Sequence, residues 1–216
     1  MNTPPKGARP GIEMAVERAL TGFTPPGLII GCRLIHAGDD QFLLPAETTS
    51  IATRDPRARV ASGAGRQVAH GLLRRLGCAD PAVPRGQLGN PIWPAGIIGS
   101  IAHDDDLAVA VAARSDAMRS VGIDIEPALP LPPGLAAIVA TPRDRLGDLD
   151  PGTGSRVLFA AKEAVYKASF PLDGRVLGFE DIVVDFESGE AVTSSGRSLT
   201  VRFTTSPRIL TLAYTP

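Results

Sequence analysis

Two carboxylates set two residues apart on an alternating stretch, and a glutamate four residues ahead of a lysine on a helical stretch, are the arrangements here that can do chemistry. Over residues 121–127, VGIDIEP, Val121, Ile123 and Ile125 alternate with Gly122, Asp124 and Glu126, the period-two pattern of a β-strand. Asp124 and Glu126 then share one face, about 6–7 Å apart, while the isoleucines turn into a core. Pro127 has no ladder donor and stops the strand. Two such acids repel one another unless a cation sits between them. Residues 159–168, FAAKEAVYKA, read as a helix, with Leu158, Ala161, Val165 and Ala168 as its apolar stripe. Glu163 and Lys167 lie four apart on another face, and Lys162 and Tyr166 lie four apart beside them. Taken singly, each pair has a plain reading: a solvated strand end, and a surface ion pair worth a few tenths of a kcal/mol. Taken together, Asp124, Glu126 and Glu163 are three hard oxygen ligands of the kind Mg²⁺ takes, with positions left for water and substrate phosphates. Lys162 and Lys167 would add positive charge for those phosphates.

The elements that must position these residues alternate between strand and helix. Residues 11–20 read as a short helix and 27–35, GLIIGCRLI, as a buried strand; 1–10 read as a loose start. An arginine-rich run, with Arg54, Arg57 and Arg59, leads to an expected helix over 65–76. Val68, Leu72, Leu73 and Leu76 face inward on it, Arg66 stands in its first turn and Gly77 stops it. A turn-rich loop at 84–94 precedes two short strands, 97–103 and 107–113, around the acidic turn 104–106, which reads as a cap. Trp93 reads as a core residue. Beyond the central strand come a short helix over 131–140, the helix read over 159–168, and strands at 182–186, 199–203 and 209–213, with a loop at 187–197.

GIDIE followed 37 residues later by the glutamate of KEAVYKA resembles the signature of the 4′-phosphopantetheinyl transferases. PIWPAGIIGSIAH at 91–103 resembles that family's upstream motif, and LGFEDI at 177–182 the segment after its helix. The resemblance runs from about Arg66 to Ile182 and is closest to the bacterial enzymes of siderophore, polyketide and peptide synthesis. It implies an α/β (α+β) pseudo-dimer of two similar halves, taken as 1–116 and 117–216, with coenzyme A in the cleft between them; no internal repeat is visible. It implies transfer of the phosphopantetheine arm of coenzyme A to a serine of an acyl or peptidyl carrier protein. Mg²⁺, or Mn²⁺, would sit on Asp124, Glu126 and Glu163, with Glu163 and Lys167 catalytic. Arg57, Arg59, Arg66, Arg85, Ser100, His103, Lys162 and Lys167 would hold coenzyme A, Arg66 and its neighbours at the 3′-phosphate. The acidic-aromatic pair common before the family's helix is replaced here by Ser62–Gly63. The region around 131–140 would help receive the carrier.

Composition narrows the alternatives. With 22 basic and 23 acidic residues the net charge is −1, which disfavours a nucleic-acid binder working by bulk electrostatics. Cys32 and Cys78 are far apart and show neither a disulfide framework nor a zinc spacing, so both are expected to be reduced, buried thiols. No run of 18 apolar residues or export signal is legible, and a monomeric cytoplasmic protein is expected. Two other functions are compatible with parts of the pattern. A nuclease of the Asp…Glu-x-Lys type would need Glu-x-Lys on a strand, whereas here Lys-Glu-x-x-x-Lys lies on a helix. A non-catalytic module binding coenzyme A or a carrier would not need the full acid set.

Overall fold

The computed structural model describes residues 11–53 and 55–216; the expected loose start at 1–10 and Arg54 lie outside the described residues. In chain order the elements are α1 (Ile12–Thr21), β1 (Leu28–Leu34), α2 (Pro45–Ser50), α3 (Pro56–Arg75), β2 (Ile97–His103) and β3 (Leu107–Arg114). Then follow β4 (Ser120–Glu126), α4 (Pro133–Val139), α5 (Pro151–Asp173), β5 (Ile182–Asp185), β6 (Glu190–Thr193), β7 (Ser198–Thr204) and β8 (Ile209–Thr215).

The strands form two antiparallel sheets, one ordered β1-β3-β2 and the other β4-β8-β7-β6-β5. Helix α3 covers the first sheet and α5 the second, while β2 runs beside β4 where the two meet. Every residue of β3 from Leu107 to Ala113 is buried. Ala110 and Ala112 face the α3 side, and Val109 and Val111 join a central core with Ile123 and Ile125 of β4 and Leu210 and Leu212 of β8. That shared core is what holds the two halves together by apolar burial. Among the described residues, no helix is long and apolar enough to cross a membrane.

Helix α3 begins at Pro56 rather than at residue 65. Asp55 caps it, its carboxylate accepting from the Arg57 amide at 2.9 Å, and Pro56 at the first position costs no helical donor. Gly63 and Gly65 look like helix breakers by propensity. Both are points of close approach instead: a Cβ on Gly63 would run into the Asp39 carbonyl, and one on Gly65 into the Ile101 side chain. Arg66 therefore stands in mid-helix, not in the first turn. The second departure is β6, which occupies part of the expected loop 187–197. Its four residues alternate exposed and buried, with Ala191 and Thr193 inward, a pattern too short to stand out in sequence. Both cysteines are free and only half-buried; burial and the neighbouring Glu17 and Glu13 push the Cys32 thiol up to about 12, which leaves it unreactive.

Gly122 sets how closely α5 approaches β4, because a Cβ there would overlap the Ala164 carbonyl and crowd the Ala168 amide. Since both obstacles are backbone, neither can rotate away. Gly122→Ala is expected to lower the unfolding free energy by about 3 kcal/mol, an overpacking cost read from urea denaturation.

A buried carboxylate anchors the other long helix. Glu47 of α2 accepts from the amides of Val83 at 2.7 Å and Leu44 at 2.8 Å, and pairs with His70 Nε2 of α3 at 2.8 Å. Burial pushes its carboxyl up, but the His70 contact and the two amides outweigh burial and hold it below the ordinary glutamate range. A carboxyl depressed in the folded state stabilises fully above the pH where the unfolded glutamate titrates, about 4.3, and loses that contribution as pH falls through the folded value. Glu47→Gln is expected to cost about 2 kcal/mol at neutral pH and to flatten this acid limb of the stability profile.

Candidate active site

Strand β4 carries two of the acids to the seam between the halves. Ile123 and Ile125 enter the core, and Asp124 and Glu126 take the opposite face, toward α5, as alternation dictates. Asp124 is buried, and its Oδ1 accepts from Lys167 Nζ at 2.6 Å. Lys167 also donates to the Ile123 carbonyl at 3.2 Å, which fixes the ammonium against the strand. The other oxygen of Asp124, Oδ2, is buried without a hydrogen-bond partner among the described residues. Burial raises the Asp124 carboxyl above its ordinary range, with Lys167 opposing. Glu126 accepts from Arg156 Nη1 at 2.6 Å, and burial raises its carboxyl too, with Arg156 opposing.

Helix α5 supplies Glu163 and Lys167 one turn apart. Its N-terminus is capped by Asp150, which accepts from the amides of Gly152 and Thr153, and its C-terminus ends at Gly174 with φ 65°. Glu163 accepts no hydrogen bond from a described residue, and burial raises its carboxyl, Lys167 lowering and Asp124 raising it further. Glu163 thus stands one helical turn before the lysine that pairs with Asp124.

Two hollows flank this row. One, of about 560 Å³, is largely apolar, lined by Ile92, Trp93, Tyr166 and Phe170 with Arg85 and Lys167 among them. The other, of about 1130 Å³, is charged, lined by Arg57, His103, the acids 104–106, Glu126 and Arg156. Strand β4 lines the first with Ser120 and Val121 and the second with Glu126, so Asp124 lies between them along the strand. Trp93 both packs against the core under α3 and forms a wall of the apolar hollow, stacked over Gly99.

The other expected coenzyme A contacts divide. Arg57 and His103 face the charged cleft, and Arg85 faces the apolar one. Arg59 donates to the Ile51 carbonyl and approaches Asp40 at 3.7 Å, away from both. Arg66 is buried, its Nε donating to the Val83 carbonyl at 3.0 Å and its Nη1 to Ser62, so it ties α3 to the following loop and lines neither hollow. The earlier helix start explains this: with α3 beginning at Pro56, Arg66 is held in mid-helix rather than at an open end. Ser100 is buried at the seam, and its hydroxyl accepts from the Ile123 amide at 3.1 Å. It joins the two halves as well as reaching the apolar hollow.

Lys162, expected among the coenzyme A contacts, is turned into the fold instead. Its side chain is wholly buried, and its Nζ donates to Asp144 at 2.7 Å and to the carbonyls of Val139 and Phe179 at 2.9 and 3.0 Å. All three ammonium donors are used, so none remains for a phosphate. Asp144 completes the unit by accepting from the Val184 amide at 2.9 Å, tying α4, α5 and β5 together. Asp144 and Arg156 are site-region residues that sequence reasoning passed over. Arg156 carried a signal, since it stands seven residues before Glu163 and so on the same helical face.

Among the described residues, no three acids, histidines or cysteines gather closely enough to form a ready metal cage. The donor chemistry nonetheless fits a divalent cation. Asp124 stands between Glu126 on its own strand and Glu163 on α5, and its buried Oδ2 is an oxygen with no hydrogen-bond partner among the described residues.

Comparison with known proteins agrees with this geometry. Residues 46–113 match the model of the 4′-phosphopantetheinyl transferase N-terminal domain, and residues 120–210 match that of the 4′-phosphopantetheinyl transferase superfamily. The chain belongs to the 4′-phosphopantetheinyl transferase superfamily. It is 37% identical over 174 residues to the 4′-phosphopantetheinyl transferase Npt of Nocardia iowensis, covering 79% of this chain and 78% of the relative. It is 41% identical over 151 residues to the 4′-phosphopantetheinyl transferase PptT of Mycobacterium tuberculosis, covering 67% and 66%. The similarity to enterobactin synthase component D of Escherichia coli is 38% over 114 residues and spans about half of each chain.

Proposed function

We propose that this protein is a Mg²⁺-dependent transferase that moves the phosphopantetheine arm of coenzyme A to a serine hydroxyl of an acyl or peptidyl carrier protein, releasing 3′,5′-ADP. The observation supporting this reading is the order of surfaces across the seam. A cleft with Arg57 and His103 comes first, then the acid row with Lys167, then an apolar hollow. Coenzyme A has the same order: a polyanionic nucleotide end, a pyrophosphate, and an uncharged arm. Residues 1–116 supply most of the nucleotide contacts, and 117–216 the metal ligands and the catalytic helix.

Asp124, Glu126 and Glu163 would hold the metal, which when bound neutralises charge on the pyrophosphate as a Lewis acid. Lys167, pinned by Asp124 and the Ile123 carbonyl, presents fixed positive charge for the leaving group. Glu163 takes the serine proton, directly or through a water. The serine oxygen forms a bond to the β-phosphorus of the pyrophosphate, and the bond from that phosphorus to the bridging oxygen breaks, the electron pair leaving with 3′,5′-ADP. The apolar walls keep bulk water from competing for the phosphorus. The protein acts as a monomer in the cytoplasm, where the free, half-buried cysteines are in keeping with a reducing compartment.

Incubating an apo carrier protein with the chain, coenzyme A and Mg²⁺, then weighing the intact carrier, tests this. A gain of one phosphopantetheine that disappears with chelator is the expected result. No gain on any acyl or peptidyl carrier, with coenzyme A still bound, would replace the proposal with a non-catalytic module.

A further inference from the structure

Strand β2 ends at His103, and the turn 104–106 that follows lines the charged cleft together with it. Asp104 shapes this turn, its Oδ1 accepting from the amides of Asp106 at 2.8 Å and Leu107 at 2.7 Å. Its Oδ2 accepts from Arg208 Nε at 2.8 Å, and Arg208 Nη2 donates to Asp106 Oδ2 at 3.1 Å. The pair is largely dry, with the Arg208 side chain 19% exposed and that of Asp104 6%. It is thus unlike a solvated surface pair, whose worth is small. Arg208 comes from the other half of the molecule and does not itself line the cleft. It directly precedes Ile209, the first residue of β8, and Ile209 is the register partner of Glu126. One guanidinium therefore ties the turn after His103 to the strand end that carries Glu126.

The chemistry of the cleft gives this tie a purpose. Three consecutive carboxylates on one wall repel a polyphosphate approaching His103 and Arg57. Arg208 offsets two of those charges from behind and fixes the backbone from which His103 projects. We infer that Arg208 is a positioning residue for the phosphates of coenzyme A, acting through Asp104 and Asp106. The inference rests on the reading of this cleft as the coenzyme A phosphate site.

Steady-state transfer by Arg208→Ala, at one fixed ionic strength, tests it. The KM for coenzyme A should rise about tenfold, with kcat and the KM for the carrier protein within about twofold of the parent. Adding Asp106→Asn to that variant removes one exposed charge and should bring the coenzyme A KM back down at least about threefold. Arg208→Lys, one ammonium that cannot span both carboxylates, should fall between the parent and Arg208→Ala. A coenzyme A KM within twofold of the parent in Arg208→Ala would overturn the inference. So would kcat and both KM values moving together with a lowered melting temperature, or no recovery from Asp106→Asn. If His103→Ala leaves the coenzyme A KM unchanged while Arg208→Ala raises it, the reading of the cleft fails instead, and the Arg208 effect needs another site.

Discussion

Replacing Glu163 by alanine is expected to lower kcat for carrier-protein modification by about a thousandfold or more without unfolding the protein. Glu163 is half-buried and accepts no hydrogen bond from a described residue, and burial raises its carboxyl. Its charge is therefore not what holds α5 in place: the apolar stripe of Leu158, Ala161, Val165 and Ala168 does that. Removing a poorly solvated carboxylate leaves no orphaned partner behind, so the melting temperature should stay level or rise. What disappears is the proton acceptor and the helix-borne member of the acid row. Intact-mass rates and thermal melts on the same preparation check both halves of this statement. Turnover within tenfold of the parent would sink the assignment of Glu163, and with it the proposed ligand set.

The opposite result is expected for Lys162, one residue away. Lys162→Met should lower the unfolding free energy by about 3–5 kcal/mol, because it strands the Asp144 carboxylate in a dry site and leaves the carbonyls of Val139 and Phe179 without their donor. Thr141 and the Val184 amide still contact Asp144, but none of these carries positive charge. Adding Asp144→Asn to Lys162→Met should recover part of the loss, since it removes the uncompensated charge. Urea denaturation reads both variants. At a temperature where Lys162→Met remains folded, its KM for coenzyme A should be near that of the parent, because no donor of Lys162 faces either hollow. A raised coenzyme A KM with unchanged stability would restore Lys162 to the binding site.

The contrast between the two lysines of KEAVYKA marks how far local pattern reaches. Strand alternation placed Asp124 and Glu126 on one face, and helical spacing placed Glu163 one turn from Lys167, because both periodicities are properties of the backbone alone. Those rules made the acid row legible, and the motif order made the family legible. Lys162 and Lys167 are five residues apart, about 140° around the helix, so they must face different ways. Nothing in their immediate neighbours says which one meets solvent. That depends on α4 and Asp144 packing over one side of α5 and on β4 packing against another, contacts between segments distant in the chain.

The same division runs through the first half. The apolar spacing marks a helix only from residue 65, whereas α3 runs from Pro56 through Gly63 and Gly65, whose missing side chains make room for Asp39 and Ile101. The consequence is functional: Arg66 becomes a buried strut, while Arg57 is the arginine of that helix that reaches the charged cleft. The residue types and their local periods, written in the chain itself, thus determined the chemistry on offer and the elements that carry it. The tertiary structure decided which charges are consumed inside the fold, as in Lys162–Asp144 and Arg208–Asp104, and which are left facing the substrate. The physical reason is that burial and partner are non-local: a charged side chain is structural or functional according to what other segments bring against it.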